Sequence, residues 1–98
     1  MNLIQLEYLK ELFAEGSFSA AAQKLGVTQP ALSLQIQKLQ EELEFKLVDR
    51  SKRPMKFTEE GKIFYQKTVE ILKMVEQLKQ VSFQMSEEVK GTLLVGII

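Results

Sequence analysis

The sequence predicts a mainly α-helical domain of three helices and a small two-stranded hairpin, followed by one long helix. Three observations lead to this fold class. Apolar residues recur at helical spacing over residues 3–43, a short stretch with strand character and a polar tip follows at 45–57, and a proline-free helical pattern then runs over 58–88. The 98 residues, 45% of them hydrophobic and 27% charged, suit one folded domain with an appended element.

The composition excludes several classes of function. Cysteine and histidine are absent, which removes disulfides, thiolate metal sites, the commonest metal ligand and the usual base of a catalytic triad. No apolar run approaches the roughly 20 residues of a membrane span, and the first residues do not resemble a secretory signal. We therefore expect a cytoplasmic protein that contacts no membrane, carries no cofactor or metal and acts by binding rather than by catalysis.

The charge is balanced overall but uneven along the chain. Thirteen basic and thirteen acidic residues give a formal net charge of zero. Between Phe45 and Phe57 there are nevertheless five cations against one acid, Asp49, which leaves a local net charge of +4. This asymmetry favours a focused contact with a polyanion.

The first two helices are bounded by residues that favour helix ends. The first helix starts near Leu3 and is expected to end at Gly16. Ser17 and Ser19 are expected to cap the second, which is about two turns long and ends at Gly26, where glycine permits a left-handed conformation.

The third helix is predicted from about Gln29 to about Leu43. Thr28 is a good N-cap, and Pro30 lies in the first turn, where its missing N–H costs nothing. One apolar stripe marks the face that is expected to be buried; it comprises Leu32, Ile36, Leu39 and Leu43.

The spacing across the second and third helices is that of a helix-turn-helix. Ala22 is followed by Gly26 after four residues, by Leu32 after six more and by Ile36 after a further four. The alanine permits close approach of the helices, the glycine makes the turn, and the last two pack the second helix on the first. Such a unit presents its second helix to the DNA major groove, although an ordinary helical hairpin fits the same spacing.

The stretch after the third helix predicts a charged hairpin, or wing. Residues 46–50 and 55–57 have strand character, and 51–54 form the turn between them. Together with the helix-turn-helix, this hairpin predicts a winged helix-turn-helix, in which the wing can reach the DNA backbone or minor groove.

The fourth helix is expected to begin after Thr58 and to break at residues 89–91. A heptad-like series on it predicts a seam between two chains, parallel or antiparallel. The seam residues are Phe64, Thr68, Ile71, Val75, Leu78, Ser82, Met85 and Val89, and a second stripe widens the seam through Met74, Leu78, Val81 and Met85.

The last residues are apolar and have the character of a buried strand. We divide the chain into residues 1–58, a DNA-binding domain; 59–89, a linker helix for dimerisation; and 90–98, the start of a truncated second domain.

The sequence closely resembles the LysR-type transcriptional regulators over essentially its whole length. The segments that carry the resemblance are 16–22 (GSFSAAA), 25–33 (LGVTQPALS), 57–61 (FTEEG), Asp49-Arg50 and 91–93 (GTL). The resemblance implies double-stranded DNA as the partner and a homodimer formed through the long helix, with a tetramer possible in a full-length protein. It also implies that a small-molecule effector acts only through a C-terminal domain beyond these residues.

Several candidate contact residues follow from these features. Base contacts are expected from Gln29, which can pair bidentately with adenine, and from Pro30, Ser33, Leu34 and Gln37. Backbone or minor-groove contacts are expected from Ser17, Ser19, Thr28, Arg50, Lys52 and Arg53. Dimer contacts are expected from Phe64, Ile71, Val75, Leu78 and Met85.

The chain departs from the family pattern at three positions. Members usually carry arginine or lysine where this chain has Leu34, often a basic residue near Gln37, and glycine where Glu44 stands. Leu34 lies opposite the buried stripe, so it is expected to meet water or a thymine methyl group. Of the three wing cations, Arg50 is the one expected to have a structural role, through pairing with Asp49, Glu41 or Glu42.

Three alternatives remain at this point. Another dimeric winged-helix reader with a different ligand domain fits the same residues. A dimeric interaction module that works through its long helix would not need the basic wing, and an enzyme is the weakest alternative, because no nucleophile has a nearby base.

Overall fold

The computed structural model describes residues 1–92, and the surroundings of side chains up to residue 85. In this part of the chain the elements follow the predicted order. They are α1 (Leu3–Glu15), α2 (Phe18–Leu25), α3 (Gln29–Leu43), β1 (Val48–Asp49), β2 (Lys56–Phe57) and α4 (Glu59–Thr92). The mainly helical winged fold is therefore confirmed, while the strand predicted after Thr92 lies outside the described residues.

Each of the first three helices begins with a side-chain cap. The side-chain oxygens of Asn2, Ser17 and Thr28 accept hydrogen bonds from the N–H groups of Gln5, Ala20 and Ala31, at 2.8, 3.0 and 3.2 Å. These bonds satisfy N–H groups that have no partner inside the helix. Ser17 alone caps α2, so the expectation that Ser19 shares this role was wrong.

The core lies between α1, α2, α3 and the start of the wing. Leu9, Leu12, Ala21, Leu32, Leu39 and Leu47 are fully buried. The buried stripe predicted on α3 is confirmed at Leu32, Ile36 and Leu39. Ala21 and Ala22 of α2 are both buried, so their small side chains permit the close approach of the helices that was predicted for Ala22.

The wing is shorter than predicted. Its two antiparallel strands pair Val48 with Phe57 and Asp49 with Lys56. The predicted strand at 46–50 is cut short because the N–H groups of Leu47 and Val48 donate to a side chain of α3, and because Asp49 turns the chain by accepting from the Ser51 N–H at 3.0 Å.

The junction between the wing and α4 is tightly packed. Thr58 Oγ1 accepts from the Gly61 N–H at 2.9 Å, and the Thr58 N–H donates to the Leu47 carbonyl at 3.1 Å. A Cβ on Gly61 would lie 2.2 Å from that same carbonyl oxygen, so only glycine fits there.

An aromatic stack joins α4 to the rest of the domain. The Phe13 ring of α1 lies between Phe57 and Tyr65, with ring centroids 3.6 and 4.4 Å away. Thr68 and Leu72 are also buried. The first half of α4 is therefore fixed to its own domain.

The first two residues of the predicted seam, Phe64 and Thr68, pack against their own domain. The Phe64 ring packs edge-on against Phe45, with centroids 6.2 Å apart, and contacts the core of its own domain. Thr68 is 1% exposed. Neither residue lies on a free face, because the domain covers this side of the helix.

The predicted break of the fourth helix at 89–91 was wrong. α4 continues through Gly91 to Thr92, the last residue that the structure describes, over 34 residues. One glycine costs about 1 kcal/mol in a helix interior, which is not enough to end one.

The end of α3 has an unusual backbone conformation. Glu44 adopts φ = 65°, in the left-handed region, and its N–H closes the helix by donating to the Gln40 carbonyl at 2.8 Å. A residue with a Cβ is strained in this region, by roughly 1–2 kcal/mol.

We predict that Glu44→Gly raises the free energy of unfolding by about 1 kcal/mol, because glycine adopts this conformation without a steric penalty. Urea denaturation followed by circular dichroism measures the change. Glu44→Ala is the matched control and should give no comparable gain. Equal stabilisation by both variants would contradict a backbone origin.

Candidate nucleic-acid interface

The exposed face of α3 carries the predicted base-contacting residues. Gln29, Pro30, Leu34 and Gln37 are exposed and Ser33 is half-buried. Leu34 is 48% exposed. The predicted outward position of Leu34 is therefore confirmed.

A hydrogen bond links the start of α3 to α2. The Ser19 hydroxyl donates to Gln29 Oε1 at 3.2 Å. This bond lies on the surface, so Gln29 has a preferred orientation before any ligand binds. Ser19 uses one of the two lone pairs of the amide oxygen, so both N–H groups of the Gln29 amide and one lone pair stay available to a partner.

Arg50 connects the wing to both helices of the helix-turn-helix. Its Nη1 donates to Ser33 Oγ of α3 at 3.0 Å, and its guanidinium carbon lies 3.9 Å from the centroid of the Phe18 ring in α2. The contact with the ring is a cation–π interaction. A structural role was expected of Arg50 among the wing cations, and its contacts with Ser33 and Phe18 fix the wing to α3 and α2.

The expected partners of Arg50 were wrong. Among the described residues it forms no ion pair with Asp49, Glu41 or Glu42. Asp49 instead accepts from the hydroxyl and the N–H of Ser51. These two bonds, with a smaller contribution from Lys52 and Lys46, hold the pKa of the Asp49 carboxyl below its ordinary value.

A shallow groove runs between the start of α2 and the wing tip. It brings together residues from three separate segments of the chain. Polar and cationic side chains of Ser17, Ser19, Gln29, Arg50, Lys52 and Arg53 line it. The N-terminus of α2 opens onto the same groove, where its N–H groups favour an anion such as phosphate.

Gln40 holds the interface together in a way that the sequence did not reveal. Its Oε1 accepts from the N–H groups of Leu47 and Val48, at 2.8 and 3.2 Å, and so fixes the wing to α3. The two N–H groups belong to buried residues and would otherwise lack a partner. A separation of seven or eight residues across a loop gives no periodic signal.

Between residues 71 and 85, α4 carries an apolar stripe that is exposed to solvent. Its members are spaced alternately by three and four residues and are Ile71, Met74, Leu78, Val81 and Met85. Val75 is half-buried and lines a groove with Glu7, Lys10 and Leu25 of the same chain. The exposed stripe thus combines residues from the two stripes expected on this helix, rotated away from the face that the domain covers.

No group of acidic side chains within the described residues could hold a metal ion. In that same part of the chain, every helix is too short or too polar to cross a membrane.

A family model for bacterial regulatory helix-turn-helix proteins of the lysR family matches residues 3–62. The transcriptional regulator BenM of Acinetobacter baylyi is 40% identical over all 98 residues, and the dual regulator OxyR of Escherichia coli K12 is 38% identical over the same length. The chain spans 32% of the length of each of these relatives.

Solved structures of DNA-binding domains in complex with DNA are similar to the chain. The BenM DNA-binding domain in complex with catB site 1 DNA superposes with a TM-score of 0.87 at 41% identity, covering 90% of this chain and 95% of that one. The DNA complex of the CbnR DNA-binding domain gives a TM-score of 0.82 at 30% identity, covering 88% and 99%.

Proposed function

Because the chain belongs to the lysR family of bacterial regulatory helix-turn-helix proteins, we propose that it binds specific sequences of double-stranded DNA as a dimer. The observation that carries this proposal is the groove in which the start of α3 meets the wing cations. A helix that presents polar side chains next to a cationic wing suits simultaneous contact with a major groove and its flanking backbone.

The base-contacting residues lie along the exposed face of α3. We assign this role to Gln29, Pro30, Ser33, Leu34 and Gln37. Backbone contacts come from residues at the starts of α2 and α3 and from the wing, namely Ser17, Ser19, Thr28, Lys52 and Arg53. Arg53 is the wing residue that enters the minor groove, since arginine is favoured by the negative potential there.

The dimer forms through the exposed stripe of α4, whose spacing is that of a helix seam. Five large apolar side chains exposed on one helix face are unfavourable in water and are covered when a second copy binds. Ile71, Leu78 and Met85 keep the role expected of them. Met74 and Val81 take the places of Phe64 and Val75.

In a longer protein this chain would serve as the DNA-binding part of a transcriptional regulator. Control by a small-molecule effector then belongs to a further domain and not to the described residues. With DNA as its partner, the protein acts in the cytoplasm, by binding and not as an enzyme. Named relatives that are transcriptional regulators support this assignment.

We predict a modest salt dependence of DNA binding, with a log–log slope of about −3 to −6 per dimer, because few cations are available. Titrations of duplex DNA at several salt concentrations measure it. Arg53→Ala should weaken binding and reduce the slope by about one for each wing that contacts DNA. A slope near −10 would reveal a larger basic surface, and no binding to duplex DNA would favour a protein-interaction module.

We predict that Leu34 reads thymine, because an exposed leucine can cover the thymine methyl group but cannot bond to guanine. Selection from randomised half-sites should enrich thymine opposite this residue. Leu34→Arg should raise non-specific affinity and reduce that preference. Gln66→Arg adds the same charge on an exposed part of α4 and should leave the preference intact; guanine enrichment by the unmodified chain would refute the assignment.

We predict that Leu78→Lys dissociates the dimer, because each copy would bury an unpaired charge in the seam. Sedimentation at tens of micromolar should show a dimer for the unmodified chain and a monomer for the variant. Gln80→Lys, an exposed position on the opposite side of α4, is the matched control and should remain dimeric. A monomeric unmodified chain would contradict the seam.

A further inference from the structure

We propose that Arg50 is a positioning residue that sets the hydrogen-bond polarity of Ser33, so that Ser33 reads acceptor atoms on a base edge. This inference rests on the proposed function and deepens it. It assigns a different role to Arg50 from that of Lys52 and Arg53, which lie further out on the same wing and contact DNA through their charge.

The argument begins with what each group can exchange. A guanidinium has five N–H donors and no acceptor, whereas a hydroxyl has one donor and two lone pairs. Arg50 Nη1 lies 3.0 Å from Ser33 Oγ, so the bond can run in only one direction. One of the two lone pairs of Ser33 is thereby used, and the hydroxyl proton points away from Arg50. Accepting from a cation also polarises the hydroxyl, which makes it a stronger donor and a weaker acceptor toward a further partner.

The position of the guanidinium is fixed by a second contact. It lies over the ring of Phe18, at 3.9 Å from the centroid, and Phe18 is only 6% exposed because it belongs to the core. A planar guanidinium stacks on a ring and donates from its edge in one fixed geometry, whereas the ammonium of lysine is a rotatable point charge on a flexible stem. Arg50 therefore approaches Ser33 from one direction.

The neighbouring polar residue of α3 has the same polarity. Ser19 donates to Gln29 Oε1 at 3.2 Å, which uses one acceptor site of the amide and leaves both of its N–H donors free. Gln29 and Ser33 are four residues apart and share one face of α3. This face thus presents hydrogen-bond donors beside the apolar Leu34.

Donors select among the base edges of the major groove. They pair with N7 and O6 of guanine, N7 of adenine and O4 of thymine, and they meet only another donor at N4 of cytosine. We therefore expect cytosine to be the base most strongly rejected opposite Ser33.

The test compares base selection by four forms of the chain: unmodified, Arg50→Lys, Ser33→Ala and the double variant. The unmodified chain should discriminate against cytosine at one position of each half-site. Arg50→Lys keeps the charge but frees the hydroxyl to rotate, so this discrimination should fall roughly three- to tenfold, the ratio that one ordinary hydrogen bond supports. In the Ser33→Ala background the same change should have no further effect on that position.

Arg53→Lys is the matched control, because it makes the same substitution on the wing without a contact to α3. It should alter affinity but not the preference opposite Ser33. An equal loss of affinity for all sequences on Arg50→Lys would place Arg50 or Ser33 on a phosphate and overturn the proposal. A base preference opposite Ser33 that Arg50→Lys leaves unchanged would also overturn the proposal. If the unmodified chain enriches no sequence at all, the proposed function itself is refuted. Circular dichroism verifies that each variant is folded.

Discussion

The backbone of Leu47 is the point on which the arrangement of this domain depends. Its N–H donates to Gln40 of α3, its carbonyl accepts from Thr58 at the start of α4, and Gly61 packs directly against that carbonyl. The residue is also fully buried. One peptide segment therefore fixes α3, the wing and α4 relative to one another, and each loses its alignment if this segment shifts.

The candidate interface inherits its geometry from this junction. Three parts meet there: α3 carries the side chains proposed to contact bases, α2 contributes N–H groups and the Phe18 ring, and the wing contributes cations. Hydrogen bonds from Arg50 to Ser33 and from Ser19 to Gln29 add a finer level of order, since they orient individual side chains on a surface already held in place. Such orientation reduces the entropy that is lost when a partner binds.

Local features of the fold could be predicted from the sequence, and non-local ones could not. The caps at Ser17 and Thr28 depend on a few adjacent residues. The same holds for the left-handed conformations of Gly16 and Gly26. The bonds of Gln40 cross a loop, and an exposed glutamine has the same sequence pattern as a structural one. Periodicity predicted a seam on α4 that includes Phe64 and Val75, which the structure shows half-buried against their own domain, because periodicity does not reveal which face the domain itself covers.

The 34 residues of α4 have a mechanical consequence. At about 1.5 Å for each residue the helix is roughly 50 Å long, and it accounts for most of the 59 Å length of the molecule. Its first half moves rigidly with the domain, so in the proposed dimer it is a lever arm. A rotation of about ten degrees moves a point some 30 Å along the arm by roughly 5 Å, more than the spacing of about 3.4 Å between base pairs. The angle between two such arms therefore sets which half-site separation a dimer can span.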